Sequence, residues 1–215
     1  MSRLQDRKDV VEIIKKAAKI YKEMLVGKTF MLVFDDRYIE VMFKTRNFCH
    51  LAGVQTGLTA ADFYKKSVKK ELTAQQIWFD ETHPFGLCLK KIIHIEHIAD
   101  ITHKESFLLE EITTDTQLYK FGTTDLHFTL CMNKEYDTDG NEKGPCYVVE
   151  SLRDEDCFAK SRQVYSVDCI FSKQNDGNYY SSPVFMDQGI TIESLPESVK
   201  ALLAPALIHD SDCST

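Results

Sequence analysis

The chain has no run of about 18 apolar residues, the least that would span a bilayer as a helix, so no membrane segment is expected. Its first residues, Arg3 to Asp9, are charged and hold no apolar core, so no secretory signal is expected either. No CxxC pair occurs. The seven cysteines (Cys49, Cys88, Cys131, Cys146, Cys157, Cys169 and Cys213) are scattered and odd in number. That pattern speaks against a disulfide framework and for reduced thiols in a cytoplasmic protein, and a zinc site built from distant cysteines is not expected. Also missing are a GxxxxGKS/T phosphate loop, a GxGxxG fingerprint, a GxSxG nucleophile elbow and an HExxH metal motif. His94 and His97 are three residues apart and could share a metal, but no carboxylate-plus-histidine signature such as HExxH is present, so no metal is expected. An enzyme of this sequence would work without a cofactor, by acid–base chemistry alone.

What is present describes an ordinary globular chain. The 215 residues are 43% hydrophobic, 11% aromatic and 27% charged, enough for a sizeable core. The net charge of −7 opposes generic attraction to nucleic acid, though a local basic site depends on distribution rather than on the total. Lysines cluster at Lys65-Lys66, Lys69-Lys70 and Lys90-Lys91, a pattern that usually marks a solvated helix face.

Periodicity predicts an amphipathic helix over residues 4–26, with Leu4, Val11, Ile14, Ala18, Tyr21 and Leu25 along one stripe, stopped by Gly27. Two apolar runs, Thr29–Phe34 and Tyr38–Phe43, flank Asp35-Asp36-Arg37 and predict a hairpin. Thr59 is placed to cap a helix over about 60–70. Residues 87–99 show a further helical pattern, with Leu87, Lys91, His94 and Ile98 on one side. From residue 105 the period becomes that of strands: Ser106–Ile112, Gln117–Phe121, Leu126–Met132, Cys146–Leu152, Val164–Ser172 and Tyr179–Met186. The expected fold is therefore α+β, with N-terminal helices packed on an antiparallel β-sheet formed mainly by the C-terminal half. A single domain is expected over 1–205, helical over 1–104 and sheet-rich over 105–190, with a disordered tail at 206–215.

Two regions carry candidate chemistry. The first is Arg46-Asn47-Phe48-Cys49-His50-Leu51-Ala52-Gly53, at the end of the second predicted strand, where a rigid element often displays functional groups. His50 admits two readings: an acid–base group at a display site, or a satisfied imidazole in a turn buried by Phe48 and Leu51. The second region holds Ser151 and Arg153, two apart and so on one strand face, followed by Tyr165 and Lys173. These polar groups fit phosphate binding and proton transfer, and equally fit a solvated sheet face.

The Asn47-Phe48-x-His50-Leu51-x-Gly53 segment, the Thr59-Ala60-x-x-Phe63 helix start and the Ser151-Leu152…Tyr165…Ile170-x-Ser172-Lys173 block together resemble the phage-associated barnase–EndoU–colicin–RelE-like nucleases. The resemblance spans about residues 25–175. It implies a metal-independent endoribonuclease fold, RNA as partner and a phage or mobile-element setting, as toxin, defence or anti-defence factor. It further implies His50, Ser151, Tyr165 and Lys173 as catalytic residues, with Arg46, Asn47 and Arg153 binding substrate. The acidic balance leaves an alternative from another class: a non-catalytic phage-encoded inhibitor that binds a host or phage protein through an acidic surface.

Overall fold

A computed structural model describes residues 4–115 and 117–209. The expected segment 210–215 of the tail lies outside the described residues, while 206–209 belong to a short helix, α6 (Pro205–His209). Helix α1 (Leu4–Ile20), continued by one wider π-turn to Leu25, buries Val11, Ile14, Ala18, Tyr21 and Leu25 of the expected stripe, with Val10 and Ala17 beside them. Leu4, read as part of that stripe, stays exposed at the helix start.

Strands β1 (Lys28–Phe34) and β2 (Arg37–Met42) form the expected hairpin, turned by Asp35 and Asp36, both with positive φ. Strand β1 is buried on both faces because each is covered. Phe30, Leu32 and Phe34 join the main core, while Met31 and Val33 meet Phe171, Tyr180, Leu195 and Val199 from the C-terminal segment. After α2 (Phe48–Ala52) and a small β3 (Gln55–Thr56), helix α3 (Ala60–Val68) opens on the predicted cap. There the Thr59 hydroxyl accepts the Asp62 N–H at 3.1 Å. Strand β4 (Ile77–Trp78) pairs with β3, and α4 (Phe85–Ile95) follows.

Four strands then run as a meander: β5 (Phe107–Thr113), β6 (Leu118–Thr124), β7 (Thr129–Tyr136) and β8 (Glu142–Arg153). The run Val164–Ser172, read from sequence as one strand, is two. Strand β9 (Gln163–Ser166) pairs with β5, and β10 (Cys169–Gln174) pairs with β1 and with β11 (Ser182–Met186). An uninterrupted alternation cannot announce a change of partner. The chain switches at Val167-Asp168, whose amides donate to Ser106 O at 3.0 Å and Val33 O at 2.8 Å.

The nine strands are ordered β11-β10-β1-β2-β8-β7-β6-β5-β9, antiparallel throughout except for the β2–β8 pair. Because β9 and β10 lie far apart in that order yet are joined by two residues, the sheet curls back on itself. The closure brings Phe34 of β1 to 5.2 Å from the Tyr165 ring of β9. Strand β8 thus neighbours β7 and β2, not the strand that follows it in sequence. Helices α5 (Glu197–Lys200) and α6 close the chain.

Candidate active site

The residues around His50 form a helix rather than a loop. Phe48, Leu51 and Ala52 are fully buried, which leaves His50 on the opposite, exposed side of α2. Phe48 is wedged among aromatic rings, 5.1 Å from Tyr21, 5.6 Å from Tyr64 and 6.3 Å from Phe63. Asn47 fastens the helix start to the sheet, its side-chain amide donating to Val149 O of β8 at 2.8 Å. Gly53 ends α2 in the left-handed region at φ +67, its N–H returning to His50 O at 3.2 Å. A Cβ at Gly53 would stand 2.7 Å from Lys91 Cδ. The glycine therefore serves two needs, a left-handed cap and the passage of the Lys91 stem across the end of α2.

His50 and Lys91 open into a cleft of about 470 Å³, whose lining includes Lys90, His83, Ser151 and Arg153. A β-bulge in β8 supplies the last two. Cys131 pairs with Ser151 but Met132 with Val149, so Glu150 is the extra residue. With that insertion Val149 and Leu152 both reach the main core, and Ser151 and Arg153 line the cleft. Arg153 is braced by Thr114, 3.3 Å from its Nη2, and lies 5.9 Å from the Tyr119 ring centroid. His83 is held on a loop whose Asp80 carboxylate accepts the Thr82 and His83 amides, both at 2.9 Å, and its Nδ1 stands 2.9 Å from Gln55 Nε2.

The acidic residues at the exit of β8 are spoken for. Asp154 meets His94 Nε2 at 2.6 Å, and the His94 ring stacks on Phe128. Glu155 pairs with Lys160 at 2.7 Å. His97 pairs with Asp100 at 3.0 Å, so the two helix histidines serve different carboxylates. Among the described residues no group of three metal-ligating side chains occurs. Of the helical side read from sequence, Leu87, Lys91 and His94 face this cleft and the β8 exit, but Ile98 lies past the end of α4 and is buried in the main core; Cys88, Ile92 and Ile95 supply the buried stripe of α4.

Electrostatics sort the two central groups. Withdrawal from water, then the positive neighbours Lys91, His83 and Arg153, lower the His50 imidazole from its ordinary 6.5 to about 4. His50 keeps an exposed edge, so the chemistry draws on the direction of the shift: a neutral imidazole at pH 7. Lys91 is lowered from 10.5 to about 8, chiefly by desolvation and next by Arg153. A neutral base and an ammonium ready to release its proton thus share one cleft.

Of the residues singled out from sequence, His50, Ser151 and Arg153 converge here, whereas Arg46, Asn47, Tyr165 and Lys173 are not brought to the cleft. Arg46 and Lys44 both pair with Glu135. Tyr165 lies under the Arg37 guanidinium at 4.8 Å. Lys173 sits 3.7 Å from Glu40 and 4.6 Å over the Tyr180 ring. Lys91 was missed, since a lysine pair on a helix reads as a solvated face. Its only sequence trace is a glycine thirty-eight positions upstream, and no local pattern links the two.

An α+β fold that gathers a histidine and several cations at the end of a sheet strand has the parts of a phosphodiester-binding site. Residues 13–189 match the family described as phage-Barnase-EndoU-ColicinE5/D-RelE like nuclease4, and the chain belongs to that family of nuclease-like proteins. No curated protein and no solved structure matches the chain. No helix among the described residues is long and apolar enough to cross a membrane. The six described cysteines are all free thiols.

Proposed function

We propose that the His50 cleft is the active site of a metal-independent endoribonuclease. The observation that carries this reading is the meeting of a neutral His50 with Lys91 and Arg153 on one open surface. His50 takes the proton of an RNA 2′-hydroxyl, and that oxygen attacks the adjacent phosphorus. The bond from phosphorus to the 5′-oxygen breaks, Lys91 gives the leaving oxygen its proton, and a 2′,3′-cyclic phosphate is left. Arg153 and Lys90 steady the charge that builds on the phosphate, with the Ser151 hydroxyl as a further donor. Asn47 is a positioning residue that acts through α2, and Tyr165, Lys173 and Arg46 have no step in this scheme.

The test is incubation of the purified protein with RNA in EDTA. Cleavage leaving cyclic phosphate ends is expected, lowered about 10²–10⁴-fold in His50→Ala. No cleavage by the wild type across several RNAs would overturn the reading. It would favour instead the non-catalytic inhibitor that the net charge of −7 suits.

A further inference from the structure

Beside the cleft lies a second depression, of about 440 Å³, on the face of β6, β7 and β8. It falls within the roughly 300–1,000 Å³ typical of small-ligand sites. Gln117 lines both hollows. The bulge in β8 joins them a second time, since consecutive residues serve different sites: Glu150 lines the depression and Ser151 the cleft. The Glu150 carboxylate is set between two side-chain amides, Gln117 Nε2 and Asn133 Nδ2, each at 3.4 Å. Asn133 is itself fixed, its Oδ1 accepting the Lys120 amide at 2.7 Å. At the other end are two aromatic rings. Tyr147 is held edge-on against Phe121 at 4.9 Å, and Tyr136 is 56% exposed. Lys134 stands over the Tyr147 ring at 4.6 Å and is tied to Gly144 O and Pro145 O of the β7–β8 hairpin.

We propose that this depression is a nucleobase subsite, taking one unpaired base of single-stranded RNA whose backbone runs into the His50 cleft. The proposal rests on the reading of that cleft as an RNA-cleaving site. Each element has its part. The exposed tyrosine gives a face on which any base stacks. Lys120 is paired with Glu110 and Glu111, and Lys134 with Glu142, so the depression contacts the base and leaves the phosphates to the cleft. The Glu150 carboxylate accepts hydrogen bonds and gives none, so it favours bases whose pairing edge carries an amino group, as in adenine and cytosine. Uracil offers one N–H between two carbonyls, and those carbonyls face the carboxylate with like partial charge. The flanking amides limit the rotation of Glu150, so its preference is built into the fold rather than formed on binding.

The experiment uses the full-length His50→Ala chain, which leaves the probe intact, and fluorescence anisotropy with labelled rA6, rC6 and rU6. Adenine and cytosine strands are expected to bind about tenfold more tightly than uracil. Glu150→Gln, close in shape but able to donate, is expected to bring the three affinities together. Tyr136→Ala is expected to weaken all three about equally, by roughly tenfold. Equal affinities in the parent chain, a preference that survives Glu150→Gln, or no binding of any strand would each overturn the proposal. If the wild type cuts RNA without base preference, the subsite falls while the cleft reading stands. If the preference appears and wild type cuts nothing, the subsite stands and the cleft reading falls.

Discussion

Lys91 stands where a cation is poorly solvated, pushed toward neutrality by burial and by Arg153. Because its folded value lies below its unfolded one, the unfolded chain binds the proton more readily, and the cost to folding is full below about pH 8. Lys91→Met keeps the stem that crosses Gly53 and removes the charge. It should raise the melting temperature at pH 7, with the gain fading as pH rises through the interval from about 8 to 10.5, while cleavage is lost. A calorimetric pH series checks it. Gly53→Ala works in the opposite direction. A side chain at φ +67 costs about 1–2 kcal/mol, and its Cβ displaces Lys91 Cδ from 2.7 Å, so stability and cleavage should fall together. At this scale the sequence was half legible. His50 and Gly53 stood out through the motif, but the partner that tunes His50 lies on another helix, and only the fold brings it there.

At the scale of elements, short-range chemistry was read well and changes of partner were not. Thr59 announced α3 because a hydroxyl beside the first turn meets an orphan amide wherever the chain lies, and Thr59→Ala should cost about 1 kcal/mol in denaturant titration. The β1–β2 hairpin was visible for a similar reason, two apolar runs either side of an Asp-Asp turn. The break of Val164–Ser172 into β9 and β10 was invisible, since both halves alternate alike and only their neighbours differ. The break puts Tyr165 on β9, paired with β5, and Lys173 on β10, paired with β1, both away from Ser151 on β8. The bulge at Glu150 was hidden too, because one extra residue leaves no compositional mark. Asn47 joins two elements, α2 and β8, through one hydrogen bond. Asn47→Ala should therefore slow cleavage by loosening the seat of His50, with the two limbs of the pH–rate profile unmoved and about 1 kcal/mol of stability lost.

The whole molecule sets an acidic surface around a small cationic cleft. Asp154 and Glu155 also line the cleft, held by His94 and Lys160, and Lys90, Lys91 and Arg153 bring three cations to it. Three phosphate-facing cations on a single strand imply a slope of log affinity against log salt of about −2, far shallower than for a basic nucleic-acid binder. A titration of RNA binding against potassium chloride measures it. The α+β class, with its mostly antiparallel C-terminal sheet, was legible from periodicity. The curl that brings β9 back to β1 was not, since closure is a property of the assembled sheet.

If a neutral His50 and a protonated Lys91 act together, the pH dependence of single-turnover RNA cleavage in EDTA carries the signature of both. A base must be unprotonated and an acid protonated, so the rate should rise along an acid limb below the ordinary histidine value of 6.5, hold a plateau, and fall as pH passes about 8. An acid limb at the ordinary histidine value of 6.5, or no cleavage at any pH, would contradict that joint action.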